Sequence, residues 1–403
     1  MANSAPKFQE EYSAKLPALA LLTHLGWTFL PPEQALAARN TKLDEVVLRG
    51  ELRAQLEKRR FTYAGQEHAL SAKAIDNIIG EVCSPALNEG LLAANEKFYN
   101  HLLYGISVTE FIDGKKANPT IPLIDWQNPA NNSFLFTEEF RVLRSNTVDS
   151  RRPDIVCFVN GMPLVVIEAK RPDGNAKKGP TIEEGVSQNI RNQRHDEIPL
   201  LFAYSQLLLS INGYEGRYAT CGTPSKFWAA WREEDITDAQ MYAIKNSSLS
   251  DSQQTALFSH RPPQDLRWYQ NLLAGGELAI TGQDRILISL LSPARLLEMT
   301  RFFTLFDKKV GKIIARYQQV FGIKRLIDRI NTKRPDGGRE GGVIWHTTGS
   351  GKSFTMVFLS KALILHDALK QCRIVVVTDR IDLESQLSKT FVSGGELASK
   401  KDS

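Results

Sequence analysis

Three ionisable side chains stand at the edges of a strongly apolar stretch, RPDIVCFVNGMPLVVIEAKRP, residues 152–172. Asp154 opens one apolar run, Ile155–Val159, and Glu168-Ala169-Lys170 closes the next, Leu164–Ile167. In an extended chain side chains alternate between faces, so Glu168 and Lys170 share one face and Ala169 takes the other. An unpaired charge at the end of a buried strand is costly, so these groups need either one another or a metal. Asp154 and Glu168 supply the one or two carboxylates that Mg²⁺ takes while keeping several waters, and the Ala169 carbonyl offers a third hard oxygen. Lys170 stands where it can orient or deprotonate a metal-bound water. A set of this kind hydrolyses a phosphodiester. The ordinary alternative is that Asp154 caps a turn after Pro153 while Glu168 and Lys170 form a surface pair. The apolar character of both runs weighs against it. So does the glutamine-bearing segment that follows, in which Gln188 is placed to contact DNA or hold the attacking water.

A second chemistry-bearing pattern is His346-Thr347-Thr348-Gly349-Ser350-Gly351-Lys352-Ser353. It follows an apolar run and precedes a helical pattern, the context of a phosphate loop. Backbone N–H groups and the helix N-terminus would cradle phosphates, Lys352 would reach the terminal ones, and Ser353 would offer an oxygen to Mg²⁺. His346 stands where the full pattern has glycine, so only the second half of the loop is orthodox. Asp379 follows the next apolar run but precedes Arg380, a poor match to the Asp-Glu pair with which phosphate-loop motors hold Mg²⁺.

The elements that must position these residues follow from periodicity and punctuation. The pair Asn160-Gly161 predicts a tight hairpin between the two apolar runs. Residues 8–26 read as a helix with acids in its first turn and Gly26 past its end; 42–60 and 67–104 read as further helices. Residues 133–143 read as a strand or short helix, and 181–195 as a helix carrying Gln188. The polar stretch from 245 to about 262 is the best linker candidate, and 311–330 reads as a basic amphipathic helix. An α/β pattern closes the chain: strand Val343–His346, a glycine-rich turn, helix Ser353–Leu365 and strand Ile374–Thr378.

At 403 residues the chain has room for two or three domains, and 42% hydrophobic with 24% charged residues is a globular composition. A net charge of +5 permits a nucleic-acid partner without demanding one. Four scattered cysteines, Cys83, Cys157, Cys221 and Cys372, form no CxxC pair and argue against a zinc site or disulfide framework. No signal peptide and no membrane-length apolar run is present, which predicts a cytoplasmic protein without a membrane partner.

Taken in order, the Asp154…Glu168-Ala-Lys170 pattern, RNQRHDEIPLLFAYSQLLLSINGYEGRYATCGT, ARYQQVFGIKRLI, GGVIWHTTGSGKSFTM and IVVVTDRIDLESQL closely resemble the restriction (motor) subunit of type I restriction–modification enzymes. The resemblance covers nearly the whole chain. It implies an α/β architecture: a PD-(D/E)xK nuclease domain with a central mixed sheet flanked by helices (1–260), a helical linker (261–310), and an incomplete RecA-like P-loop domain (311–403). It implies Mg²⁺ and ATP as cofactors, double-stranded DNA as substrate, and methyltransferase and specificity subunits as partners. By position, Asp154 and Glu168 match the metal ligands and Lys170 the catalytic lysine. Thr348, Gly349, Ser350, Gly351, Lys352 and Ser353 fall in helicase motif I, Gln319 matches the adenine-reading glutamine, and Thr378-Asp379-Arg380 matches motif Ia. Glu11 matches an acid that some members carry on the first helix.

Two departures qualify the match. Many members follow the nuclease motif with Gln-xxx-Tyr; here Gln188 is followed by Asn192 and Gln193. The later helicase motifs and the second RecA-like lobe are absent, so the chain is expected to be a truncated subunit unable to translocate alone. A stand-alone nuclease with a structural RecA-like remnant, and a non-catalytic product of an interrupted gene, are the alternative readings.

Overall fold

The hairpin expected at Asn160-Gly161 is the middle of a six-stranded mixed sheet. A computed structural model describes residues 10–145, 148–172, 181–307, 309–345, 351–366, 368–369 and 372–377. The chain divides into two compact units, 1–297 and 298–403.

In the first unit the sheet strands are β1 (Thr28–Phe29), β2 (Phe134–Glu138), β3 (Ile155–Val159), β4 (Met162–Ala169), β5 (Leu207–Ile211) and β6 (Gly216–Ala219). Their spatial order is their chain order. β1 runs parallel to β2 and β4 parallel to β5; the other neighbours are antiparallel. The parallel step needs a crossover, supplied by helix Thr181–Asn192. Asn160 and Gly161 both have positive φ, 52° and 80°, the geometry of a tight two-residue hairpin turn. The turn is buried: Asn160 donates to the Leu123 carbonyl at 2.8 Å, and the Gly161 carbonyl accepts from Leu48 N at 2.8 Å. Pro163 cannot donate to a ladder, and the register shift between Cys157 and Phe158 falls opposite it, a bulge that lets proline sit in a central strand. Every residue of β3, β4 and β5 is buried.

Helices cover this sheet, and several sequence expectations change. The first helix begins as a π-turn, Glu11–Lys15, before becoming α-helical over Leu16–His24, and Gly26 follows with φ 92°. Residues 42–60 hold a shorter helix, Arg49–Glu57. The stretch 67–104 is broken: an antiparallel hairpin pairs Arg60–Tyr63 with Gln66–Ala69 before helices Ala72–Val82 and Leu91–Tyr104. The positive φ of Ala64 and Gly65 makes that hairpin turn, overriding the helical periodicity around it. Residues 133–143 resolve as β2 and a short strand, Val142–Leu143.

The polar stretch 245–262 is not a linker. It holds helix Asp251–Phe258, started by a Ser250–Gln253 capping box and anchored by buried Leu257 and Phe258. Polar composition misled because the helix spends its polar residues on capping. Helices Pro263–Ala274 and Gly282–Leu291 also belong to the first unit. There Trp27 Nε1 donates to the Leu291 carbonyl at 2.7 Å and Gln283 Nε2 to the Ala14 carbonyl at 2.9 Å. The boundary between units thus falls at Leu297/Glu298 rather than at 260.

The second unit holds a two-stranded antiparallel hairpin, Thr304–Asp307 with Gly311–Ile314, and helices Tyr317–Asn331 and Lys352–Leu365. The expected helix 311–330 therefore starts six residues later, after a strand. No strand is formed at 343–345 or 374–377, where Val343–His346 and Ile374–Thr378 were expected. A strand exists only through its ladder, and no described residues pair with these; Val343, Trp345 and Val377 are almost fully exposed. Across the described residues no helix is long and apolar enough to cross a membrane.

Candidate active site

Register carries the sequence candidates to one end of the sheet. Ile155 stands opposite both Glu138 and Ile167, and Ala169 opposite Ile211. The start of β3 and the ends of β2, β4 and β5 therefore meet. There the Asp154 carboxylate accepts from Ala169 N at 2.8 Å, stapling the two strand ends together. Lys170 Nζ lies 3.5 Å from Asp154 Oδ2 and 3.9 Å from Glu168 Oε2, and donates to the Ala169 carbonyl at 2.8 Å. The ammonium thus sits on all three oxygens that the sequence proposed as a cation's ligands.

Glu168 is fully buried, and its Oε2 has no hydrogen-bond partner. Burial, reinforced by the Asp154 charge, pushes its carboxyl well above the usual range. Burial works against the Lys170 ammonium too, but Asp154, Glu168 and Glu10 outweigh it and hold the lysine above its ordinary value. Among the described residues no three His, Cys, Asp or Glu side chains gather into a metal cage. The donor set is two carboxylates and a carbonyl. That suits a hard cation that keeps water, and an orphaned buried carboxylate oxygen is where such a cation would relieve an unmet demand.

Helix Thr181–Asn192 closes the face that Glu168 and Lys170 share. Gly185 lies so close that a Cβ there would stand 2.2 Å from Ser210 Oγ and 3.4 Å from Lys170 Cγ. Ser210, paired with Glu168 in register, donates to the Ile182 carbonyl at 2.8 Å. Gln188 is half-buried on this helix, but Asn192, one turn on, is the residue that reaches Glu168, with Nδ2 3.5 Å from Oε1. The sequence signal for Asn192 was its i+4 spacing from Gln188, which puts both on one helix face.

The acid expected at Glu11 is displaced by one residue. Glu10 is the acid beside the site, 3.9 Å from Lys170 Nζ, whereas Glu11 pairs with Lys15 at 2.9 Å and with Arg261. Burial raises the Glu10 carboxyl; Lys170 opposes this and Asp154 adds to it.

In the second unit Gln319 and Gly351 are brought together. Gln319 is buried, donates from Nε2 to the Gly351 carbonyl at 3.3 Å and to Thr355 Oγ1 at 3.2 Å, and accepts from Arg316 N at 2.8 Å. Gly351, at φ 83°, caps the helix that begins at Lys352, whose side chain is exposed; Ser353 is half-buried. Thr348, Gly349, Ser350 and the Thr378-Asp379-Arg380 match lie outside the described residues.

The family described as type I restriction enzyme R protein N terminus matches residues 7–227, more than half of the chain and the whole of the site at β3 and β4. The chain belongs to this family. A SWI2/SNF2 ATPase family matches residues 318–403, from the residue before Gln319 onward. Among curated relatives, the type I restriction enzyme HindI endonuclease subunit of Haemophilus influenzae is 30% identical over 389 residues, covering 94% of this chain and 32% of that protein. The putative type I restriction enzyme MjaIXP endonuclease subunit of Methanocaldococcus jannaschii is 27% identical over 412 residues, covering 98% and 35%. This R-protein chain therefore spans about a third of the length of these relatives.

Proposed function

We propose that the first unit is the Mg²⁺-dependent, PD-(D/E)xK-type endonuclease of a type I restriction–modification system, cutting double-stranded DNA. The observation that carries this is the convergence of Asp154, Glu168 and Lys170 on one sheet end, with a buried Glu168 oxygen that accepts no hydrogen bond. Mg²⁺, held by Asp154, Glu168 and the Ala169 carbonyl, would activate the attacking water and neutralise charge building on the phosphoryl oxygens. The chain's own groups set the geometry. The Ala169 N–H to Asp154 hydrogen bond fixes the separation of the two strand ends. Asn192 orients the Glu168 carboxylate. The acidic neighbours of Lys170 favour its ammonium form. The lysine serves best by orienting water or by donating to a non-bridging phosphate oxygen, where negative charge develops. Gln188, exposed in part on the covering helix, is in reach of DNA rather than of the carboxylates.

The second unit, we infer, binds ATP as the beginning of a RecA-like translocase lobe, with Gln319 reading adenine and Thr348 to Ser353 holding phosphates. The support is the SWI2/SNF2 match together with the Gln319–Gly351 contact, which ties the adenine reader to the phosphate loop. In the full enzyme, methyltransferase and specificity subunits would supply the recognition site, and ATP-driven translocation would precede cutting.

Nicking of supercoiled plasmid in Mg²⁺ tests the nuclease reading. Activity should be abolished by EDTA and lost by at least a hundredfold in Asp154→Ala, Glu168→Ala and Lys170→Ala. Undiminished nicking by Asp154→Ala would overturn it. Titration with a fluorescent ATP analogue, with binding lost in Lys352→Ala, tests the nucleotide reading.

A further inference from the structure

Beside the three candidate catalytic residues lies a second, separate set of buried charges. Arg261, 7% exposed at its side chain, pairs with both Glu11 on the π-turn and Glu138 at the end of β2, and stands 3.5 Å from Asp265. Lys15 Nζ lies 3.3 Å from Glu138 and 2.6 Å from Glu139. His260 Nε2 meets the other Glu138 oxygen at 2.8 Å. On the far side Tyr12 donates to Asp265 at 2.8 Å and packs on Trp268 at 5.1 Å between ring centres, so helix Pro263–Ala274 grips the π-turn by its side chains. A buried arginine serving three carboxylates from three elements fixes geometry more than it adds stability, since removing charges from water is itself costly.

Two short paths lead from Arg261 to the candidate site. Through Glu11 it anchors the π-turn whose preceding residue, Glu10, lies 3.9 Å from Lys170 Nζ. Through Glu138 it anchors a strand end whose next residue, Glu139, donates its N–H to the Asp154 carbonyl at 3.0 Å. One path draws on the ammonium, the other on the backbone of the first carboxylate. If the first is cut, Glu10 no longer draws on the Lys170 ammonium, which already lies 3.5 Å from Asp154 and 3.9 Å from Glu168 and would then hold their oxygens more strongly against a cation.

We propose that Arg261 is a positioning residue of the nuclease centre, setting the affinity of Asp154 and Glu168 for their metal from outside the ligand set. This rests on the nuclease reading above. It makes helix Pro263–Ala274 a functional part of the nuclease and not a spacer after it.

The test is Mn²⁺ binding to the full chain by calorimetry, alongside nicking as a function of Mg²⁺ concentration. Loss of an outer partner of a metal site weakens binding by about 10- to 100-fold. Arg261→Ala should therefore weaken Mn²⁺ binding and raise the half-saturating Mg²⁺ for nicking by about tenfold, with the rate at saturating Mg²⁺ changed far less. Arg261→Lys, which keeps the charge but not the fork that spans two partners, should recover part of the loss. A purely structural arginine would lower the melting temperature and leave metal affinity alone. Glu11→Gln removes the π-turn carboxylate while leaving Arg261 on Glu138, and it decides the matter by the same criterion if Arg261→Ala does not fold. Mn²⁺ affinity within twofold of the parent chain in folded Arg261→Ala, or in Glu11→Gln in its place, overturns the proposal. Parent-chain binding that survives Asp154→Ala would instead sink the nuclease reading itself.

Discussion

Glu168 shows what a functional site costs a fold. It stands fully buried at the end of an otherwise apolar strand, with one oxygen that accepts no hydrogen bond. Its neighbours were readable in advance: alternation along a strand places Lys170 on its face, and the cost of a buried charge demands a partner. Without metal, replacing the carboxylate by its neutral isostere should therefore help the fold. Glu168→Gln is expected to raise the melting temperature of the metal-free chain, corresponding to about 1 to 3 kcal/mol for relieving an unsatisfied buried group, while abolishing nicking. Thermal denaturation in EDTA measures this, and a lower melting temperature would mean that Glu168 is satisfied in solution. Asn192 and Glu10 were less legible. Each reaches the site through a tertiary contact that spacing does not announce: one across the βαβ crossover, the other from the residue just before the π-turn.

Among the elements, the π-turn Glu11–Lys15 is the one whose setting depends most on charge. Burial tends to raise the Glu138 carboxyl, but the His260 hydrogen bond and the Arg261 and Lys15 charges hold it below the usual range. A carboxyl depressed on folding contributes stability that is complete above its unfolded value, about 4.3 for glutamate, and is lost as pH falls through its folded value. Acidification below about pH 4.3 should thus loosen the π-turn, and Glu138→Gln should lower stability at pH 7 yet flatten its further decline below that pH. Melting temperature against pH, for parent and variant, checks this; parallel curves would show that Glu138 does not carry the acid sensitivity. The helix Thr181–Asn192 is positioned differently, by absence of bulk: Gly185 admits Ser210 and the Lys170 stem where any Cβ would intrude. Sequence periodicity found that helix without showing which glycine lets it dock.

For the whole molecule, the first unit extends past the polar stretch that composition suggested as its end. Two capping-box helices and the Trp27–Leu291 and Gln283–Ala14 hydrogen bonds bind residues 251–291 to the first helix and sheet. A fragment spanning 10–297 should unfold cooperatively in urea, whereas one ending at 260 loses Arg261 and both of these anchors and should show a lower midpoint or fail to fold. Equal midpoints would return the boundary to 260. The second unit offers no equivalent sheet among the described residues: its apolar runs at 343–345 and 374–377 stand without ladders.

What the sequence determined by itself was local and periodic. The Asn160-Gly161 turn and the alternation through Glu168 and Lys170 each follow from the preferences of a few adjacent residues. Tertiary structure alone decided what depended on distant partners: that Glu10 rather than Glu11 faces Lys170, that Asn192 meets Glu168, and that Arg261 joins Glu11 to Glu138. Strand register and helix docking set those contacts, and both are chosen by the burial of the whole core, which no short window of sequence contains.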